Sequence, residues 1–207
     1  MNLSMNLEGD ASYLYRELGK LCACIPQPPP VKLKMLGYQM AALSILARQY
    51  NRAGSRILEI GTGHGASGYM LAKAAPLAKI ISLTVSSGEG AAANELWRKN
   101  NCSNIFAVVE SSWRYLSFTV AATFDMVFVD GDHNAIGRDL PWFNRLAVEG
   151  LFVCHDYSPE SSRSPSPIVY AELNRLAERL GRPFDVSLID DGKVGMVGFY
   201  RHEGETA

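Results

Sequence analysis

Runs of apolar residues alternate along the chain with stretches in which apolar positions recur every three or four residues. The uninterrupted runs are typical of buried strands, and the periodic stretches are typical of helices. Strands are therefore predicted over residues 56–60, 79–85, 105–110, 124–130 and 151–154. Helices are predicted between and after them, over residues 66–75, 90–100, 112–118, 136–148 and 168–180. This alternation predicts an α/β fold with a parallel sheet that carries helices on both faces.

The N-terminal part of the chain departs from that alternation. Helices are predicted over residues 11–24 and 34–51, and a proline run at 28–30 favours an extended connector between them. Residues 1–53 are therefore expected to form a helical cap on the substrate side. Residues 54–207 are expected to form the core, with both parts in one compact domain.

The C-terminal part predicts a different kind of strand pairing. The segment 190–193, Asp-Asp-Gly-Lys, separates two β-rich runs at 184–189 and 194–200. An Asp-Gly pair between such runs is a strong signal for an antiparallel hairpin. The expected fold is a Rossmann-like, doubly wound sheet of seven strands, mostly parallel with a C-terminal antiparallel β-hairpin.

Composition narrows the class of protein. The 207 residues are 47% apolar and 20% charged, which is ordinary for one globular domain. A net charge of −1 gives no basic surface for nucleic acid, and no apolar run is long enough to span a membrane. Cys22, Cys24, Cys102 and Cys154 show no C-x-x-C spacing, so we expect structural thiols in a cytoplasmic protein.

The most specific pattern is Glu59-x-Gly61-x-Gly63-x-Gly65, between the first predicted strand and the helix after it. Glycines can adopt positive φ and let a ligand approach the backbone, and the N-terminus of the helix points its amides toward that ligand. The pattern therefore predicts a nucleotide-type cofactor site. A dinucleotide site also requires a carboxylate about 20 residues further on, and residues 78–87 contain none.

The same segment resembles motif I of the class I S-adenosylmethionine-dependent methyltransferases. The resemblance implies that the strand-end acid and the glycine turn surround the methionine and ribose parts of the cofactor. In that family, residues just after the third strand flank the adenine. The implied cofactor-binding residues are Glu59, Gly61, Thr62, Gly63, Gly65, Thr84, Ser112, Trp113 and Asp130.

The end of the second strand departs from the family pattern. Family members usually have an acid there that binds both ribose hydroxyls, whereas this chain has Thr84. A carboxylate would add a charge-assisted hydrogen bond, so Thr84→Asp is expected to tighten cofactor binding by about 1 kcal/mol. Glu89, at the start of the next helix, is the second candidate for holding the ribose.

Polar side chains end the fourth and fifth predicted strands. Asp130 and His133 follow one strand, and His155 and Asp156 follow the other. The carboxyl ends of neighbouring parallel strands meet at one edge of the sheet, beside the loop after the first strand. We therefore expect these side chains to converge near the cofactor, either as a divalent-metal site or as a general base with its orienting partner.

This second pattern resembles a sugar- and small-molecule-modifying branch of the class I methyltransferases, with Asp139 as a further acid in the next helix. The resemblance implies that Asp130, His155 and Asp156 hold a divalent metal such as magnesium. It also implies that His133 is the base toward a substrate hydroxyl, with Asp130 and Asp156 completing the catalytic set. An acidic ligand or a neutral residue is more usual at His155, and imidazole suits zinc, iron or manganese better than magnesium.

These patterns together predict an enzyme that transfers the methyl group of S-adenosylmethionine to a hydroxyl of a small molecule, such as a sugar or natural product. Metal assistance is part of that expectation. Two alternatives stay open: an NAD-type Rossmann oxidoreductase, and a cofactor-binding partner protein that has lost catalysis. We also expect a homo-oligomer formed through the N-terminal helices. The sequence has no signature of the methyl acceptor.

Overall fold

The computed structural model describes residues 37–119, 123–158, 167–189 and 194–207. Its strands are β1 (Arg56–Ile60), β2 (Lys79–Thr84), β3 (Ile105–Val109), β4 (Phe124–Val129), β5 (Leu146–Tyr157), β6 (Val186–Leu188) and β7 (Gly195–Tyr200). Its α-helices are α1 (Gly37–Arg48), α2 (Ala66–Ala74), α3 (Ser87–Lys99), α4 (Ser112–Phe118), α5 (Ile136–Asp139) and α6 (Pro167–Leu180). Two 3₁₀ helices flank α5, at His133–Ala135 and Leu140–Arg145.

The strands form one seven-stranded sheet in the order β3-β2-β1-β4-β5-β7-β6. Neighbouring strands are parallel except that β7 runs antiparallel to both β5 and β6. The predicted fold class, with its antiparallel C-terminal pair, is therefore confirmed. The order reverses between β1 and β4, and ligands of open α/β sheets bind outside the carboxyl ends of the strands at such a switch point.

Apolar side chains form one cluster on each face of the sheet, as the prediction of helices on both faces requires. One cluster joins Leu43 of α1 and Leu71 of α2 to Ile57 of β1. The other joins Leu173 of α6 to Leu58 of β1. Because α1 shares a core with the sheet, the described part of the N-terminal cap is not a separate body. The division at residue 53 stays a prediction, and the predicted helix 11–24 lies outside the described residues.

The segment between β4 and β5 differs most from the prediction. The sequence predicts one helix over 136–148, whereas α5 ends at Asp139 and a 3₁₀ helix follows it. Pro141 explains the break, because proline cannot donate the hydrogen bond that continues a helix. β5 then begins at Leu146, five residues before the predicted start at 151, and its register against β4 shifts near that end.

The remaining elements lie close to their predicted bounds. β6 is the shortest strand and covers only the middle of the predicted run 184–189. The predicted turn at 190–193 lies outside the described residues, as do Cys22 and Cys24. Cys102 and Cys154 are buried free thiols. No helix in the described ranges is long and apolar enough to cross a membrane.

Candidate active site

A cleft of about 580 Å³ lies at the carboxyl ends of the central strands. Cavities that bind small molecules have volumes in this range. The predicted cofactor residues on its surface are Gly61, Thr62, Gly63, Thr84, Ser112, Trp113 and Asp130. The predicted base and metal ligands are there too, namely Asp130, His133, His155 and Asp156. Glu59 and Gly65 are not part of its surface.

The three loop glycines serve different purposes. Gly61 has φ 104°, and a Cβ on it would lie 2.1 Å from the carbonyl oxygen of Asp130, so this glycine lets the loop pass against the end of β4. Gly65 has φ 84° and accepts a 2.7 Å hydrogen bond from Trp97 Nε1, and a Cβ there would collide with α3. Gly63 has φ 48°, and a Cβ added to it would meet no atom within 4 Å. Of the three, only Gly63 therefore faces open space in the cleft.

Glu59 is a buried acid beneath the glycine loop. Its side chain alternates onto the sheet face that α2 covers, where it is 0% exposed. Ser82 is its neighbour in the β1–β2 register and donates a hydrogen bond to Oε2, and Ser82 Oγ lies 2.7 Å from Thr62 Oγ1. Burial raises the pKa of Glu59 to about 7, against hydrogen bonds from Ser67 and Ser82 that lower it. Glu59 thus supports the loop from below, and direct contact with a cofactor stays a prediction.

The side chains predicted to converge beside the loop do so. His133 Nε2 lies 2.5 Å from Asp156 Oδ2, at the edge of the cleft. His155 Nδ1 lies 3.1 Å from the other oxygen of Asp156 and 3.2 Å from Asp130 Oδ1. Asp156 can meet both histidines because its backbone has φ 61° at a register shift in β5. The Asp156 carboxylate therefore connects the buried His155 to the partly exposed His133.

The charges in this cluster partly offset one another. Burial opposes charge on His155, but its contacts with Asp130 and Asp156 outweigh burial and raise the pKa of His155 to about 9. The hydrogen bond from His133 to Asp156 raises the pKa of His133. Burial alone would raise the pKa of Asp156, yet the two histidines bring it well below its usual range. At neutral pH the cluster therefore holds an imidazolium between two carboxylates.

Some of the side chains in this cluster have the spacing that ligands of one divalent ion need. Donor atoms of Asp130, His133 and Asp156 all lie within 4.8 Å of one another, a spacing that ligands of a single ion can have. His155 was predicted as a ligand, and its Nδ1 lies within 3.2 Å of oxygens of both Asp130 and Asp156. The residues whose spacing fits an ion are the two aspartates with His133, and the role of His155 as a ligand stays a prediction.

The wall of the cleft near α4 contains a second buried acid. Ser112 Oγ donates a hydrogen bond to Asp139 Oδ1, and burial raises the pKa of Asp139 to about 6. Trp113 is 50% exposed beside them and offers an aromatic face to the cleft. Ser112 and Trp113 thus line the cleft, and their contact with a cofactor stays a prediction.

Several cleft residues escaped sequence analysis. Met40 reaches the cleft from α1, and Arg138 reaches it from α5. Ser67 and Ser82 act on Glu59 from below the loop. Only Ser82 had a usable signal, because aligning β1 and β2 as parallel neighbours places it beside Glu59. The other three depend on helix orientation, which no sequence pattern specifies.

Part of the sequence matches a known protein family, and the fold is similar to solved structures. Residues 58–157 match the family described as a methyltransferase domain. No curated protein matches the chain by sequence. Among solved structures, cofactor-bound Rv0187 from MTB is similar at 18% identity and a TM-score of 0.68, with 97% of this chain and 95% of that chain covered.

Two further structures are similar over nearly their whole length. The O-methyltransferase from Bacillus cereus in complex with SAH has 16% identity and a TM-score of 0.61, covering 95% of this chain and 94% of that one. The O-methyltransferase TomG from Streptomyces achromogenes, involved in tomaymycin synthesis and bound to SAM, has 19% identity and a TM-score of 0.62, covering 95% and 93%. At these identities the structures show a shared fold, and the family match shows the methyltransferase domain. The chain contains a methyltransferase domain at residues 58–157 and has the fold of the class I S-adenosylmethionine-dependent methyltransferases.

Proposed function

We propose that this enzyme transfers the methyl group of S-adenosylmethionine to a hydroxyl oxygen of a small molecule, with His133 as the general base. The observation that carries the proposal is the 2.5 Å pair between His133 Nε2 and Asp156 Oδ2 at the cleft. Two of the similar structures are O-methyltransferases, which supports oxygen as the acceptor atom. A sugar or natural-product hydroxyl is the acceptor class that the sequence resemblance implies.

The reaction is a displacement at the methyl carbon. The acceptor oxygen forms a bond to the methyl carbon while the carbon–sulfur bond breaks, and the sulfur keeps the electron pair. Alignment of oxygen, methyl and sulfur supplies most of the rate. Asp156 holds Nε2 of His133, so Nδ1 is the nitrogen that takes the hydroxyl proton. His155 binds the other oxygen of Asp156, and this keeps the carboxylate oriented toward His133.

Metal assistance is a separate part of the proposal. Asp130, His133 and Asp156 would hold a divalent ion, which when bound lowers the pKa of the acceptor hydroxyl. A histidine that binds an ion through Nε2 cannot also use Asp156 as its partner there. The two roles of His133, ligand and base, are therefore mutually exclusive, and a chelator separates them.

The family match favours this function over an NAD-type oxidoreductase. A partner protein without catalysis is the remaining alternative. Measured methyl transfer by the parent protein would exclude it. A small-molecule acceptor, and assembly through the N-terminal helices, stay proposals that follow from the sequence.

The test uses methyl-labelled S-adenosylmethionine and a panel of sugar and phenolic hydroxyl acceptors. His133→Ala should lower kcat by about 100-fold, as loss of a general base does. The affinity for S-adenosylhomocysteine, measured by calorimetry, should change little. His202→Ala is the matched control, because His202 pairs with Glu149 outside the cleft. Parental turnover in His133→Ala, with no loss of rate in chelator, would contradict both forms of the proposal.

A further inference from the structure

The end of β2 has a hydrogen-bond relay where the family usually has an acid. Thr84 Oγ1 donates to Glu89 Oε2 over 3.0 Å. The same hydroxyl accepts the backbone N–H of Ser86 over 3.1 Å. Thr84 and Glu89 both form part of the cleft surface, so the relay ends in a carboxylate at the cofactor site.

The start of α3 explains why that carboxylate points into the cleft. Ser86 is the N-cap, and its hydroxyl accepts the Glu89 N–H over 3.3 Å. In a capping box the glutamate at this position would reach back to the N-cap N–H. Here the hydroxyl of Thr84 has taken that N–H. The Glu89 side chain is therefore released from capping and lies against Thr84 instead.

Close packing brings the first turn of α3 to the end of β2. A Cβ on Gly90 would lie 3.2 Å from Val109 Cγ2 and 3.3 Å from Thr84 Cγ2, distances that leave little room for a side chain. The absence of a side chain at Gly90 thus lets the helix settle on β2 and β3. A carboxylate in the first turn of a helix is also favoured by the helix dipole. Glu89 is held near the cleft by both effects.

We propose that Glu89, oriented by Thr84, supplies the carboxylate that binds the ribose hydroxyls of S-adenosylmethionine. The inference rests on the cofactor of the proposed function and adds the residue that recognises its sugar. Thr84 gives its only hydroxyl proton to Glu89, so it acts as a positioning residue and not as a donor to the ribose. The role predicted for Thr84 as a direct ligand is revised accordingly.

The relay reverses the expectation for Thr84→Asp. An aspartate at position 84 would place a second carboxylate beside that of Glu89, about as close as the Thr84 hydroxyl is now. Like charges that close repel, so this substitution should weaken cofactor binding instead of tightening it. Thr84→Val removes the relay without adding charge and is the cleaner test of positioning.

The experiment measures binding of S-adenosylhomocysteine by calorimetry, with an analogue that lacks both ribose hydroxyls as the second ligand. Glu89→Gln should weaken S-adenosylhomocysteine roughly 10- to 100-fold, the range for a hydrogen bond to a charged group. The deoxy analogue should bind the parent and Glu89→Gln equally. Thr84→Val should show a smaller loss for S-adenosylhomocysteine and none for the analogue.

The control is Glu95→Gln, which removes the same charge from the exposed side of α3, where Glu95 pairs with Lys99. It should bind both ligands like the parent. Equal affinity of Glu89→Gln and parent for S-adenosylhomocysteine would overturn the inference, as would an equal loss for both ligands. Failure of the parent itself to bind S-adenosylhomocysteine would instead refute the cofactor site, so the two failures are distinct.

Discussion

Glu59→Gln tests whether the acid beneath the glycine loop acts through its charge. The side chain is fully buried, and burial raises its pKa from 4.5 to about 7 despite hydrogen bonds from Ser67 and Ser82. A glutamate in the unfolded chain keeps the lower pKa. Between pH 4.5 and pH 7 the folded protein therefore binds more protons at this site than the unfolded chain does.

The sign of the effect follows from that difference. Where the folded state binds more protons, the free energy of unfolding falls as pH rises. The stabilisation is complete below the unfolded pKa and is lost as pH rises through the folded pKa. Each pH unit in this window costs about 1.4 kcal/mol, so Glu59 should remove about 3 kcal/mol of stability by pH 8. Glutamine does not ionise, and Glu59→Gln should lack this loss.

The assay is urea unfolding of the ligand-free parent and Glu59→Gln at pH 5 and pH 8. The difference between their free energies of unfolding should move by about 3 kcal/mol in favour of the variant as pH rises. Glu95→Gln, with its acid exposed on α3, should show no comparable dependence. A difference that is the same at both pH values would refute the reasoning, because it would mean that Glu59 titrates normally in the folded protein.

The same variant separates two roles for Glu59. A glutamine oxygen can still accept the hydrogen bond from Ser82, so loop support should survive and S-adenosylhomocysteine should bind nearly as in the parent. If Glu59 instead binds the cofactor ammonium directly, loss of its charge should weaken binding by about 10-fold or more. Calorimetry at pH 8 distinguishes these results.

Two further predictions concern the loop and the base. Gly63→Val puts a branched side chain at positive φ in the open cleft, so it should weaken S-adenosylhomocysteine by about 100-fold or more; near-parental affinity in calorimetry would exclude the loop as the site. Asp156→Asn removes the bond that raises the pKa of His133, and a base acts when deprotonated. The rising limb of kcat against pH should therefore move to lower pH, with kcat reduced at its plateau; an unmoved limb would show that His133 is not the base.

Much of the site followed from the sequence because topology brings strand ends together. Once strands one, four and five are taken as parallel neighbours, the residues after them must meet at one edge of the sheet. Asp130 and Asp156 needed no further information to be placed beside the loop. The glycine loop was also predictable from the sequence, since glycines at alternate positions between a strand and a helix indicate a turn with positive φ values.

The parts that escaped depend on local backbone geometry. Asp156, which contacts both histidines, adopts φ 61°, a conformation that a non-glycine residue seldom takes and that the sequence pattern does not indicate. Pro141 was visible in the sequence, but the apolar period around it outweighed its effect in the prediction of a helix over 136–148. The direction of the Glu89 side chain was not readable either, because it depends on which group takes the Ser86 N–H.

His155 changes the negative charge that a bound metal ion would have to offset. The resemblance implies an acid or a neutral residue at this position, and an acid would give the cluster with Asp130 and Asp156 three carboxylates and a charge of −3. A protonated His155, whose pKa is raised to about 9, brings that charge to −1 at neutral pH. Two carboxylates held close together are costly unless a cation lies between them, and His155 already lies 3.1 and 3.2 Å from one oxygen of each. His155 thus occupies the place between the two carboxylates, while His133 contacts Asp156 through Nε2 and keeps Nδ1 for the role of base.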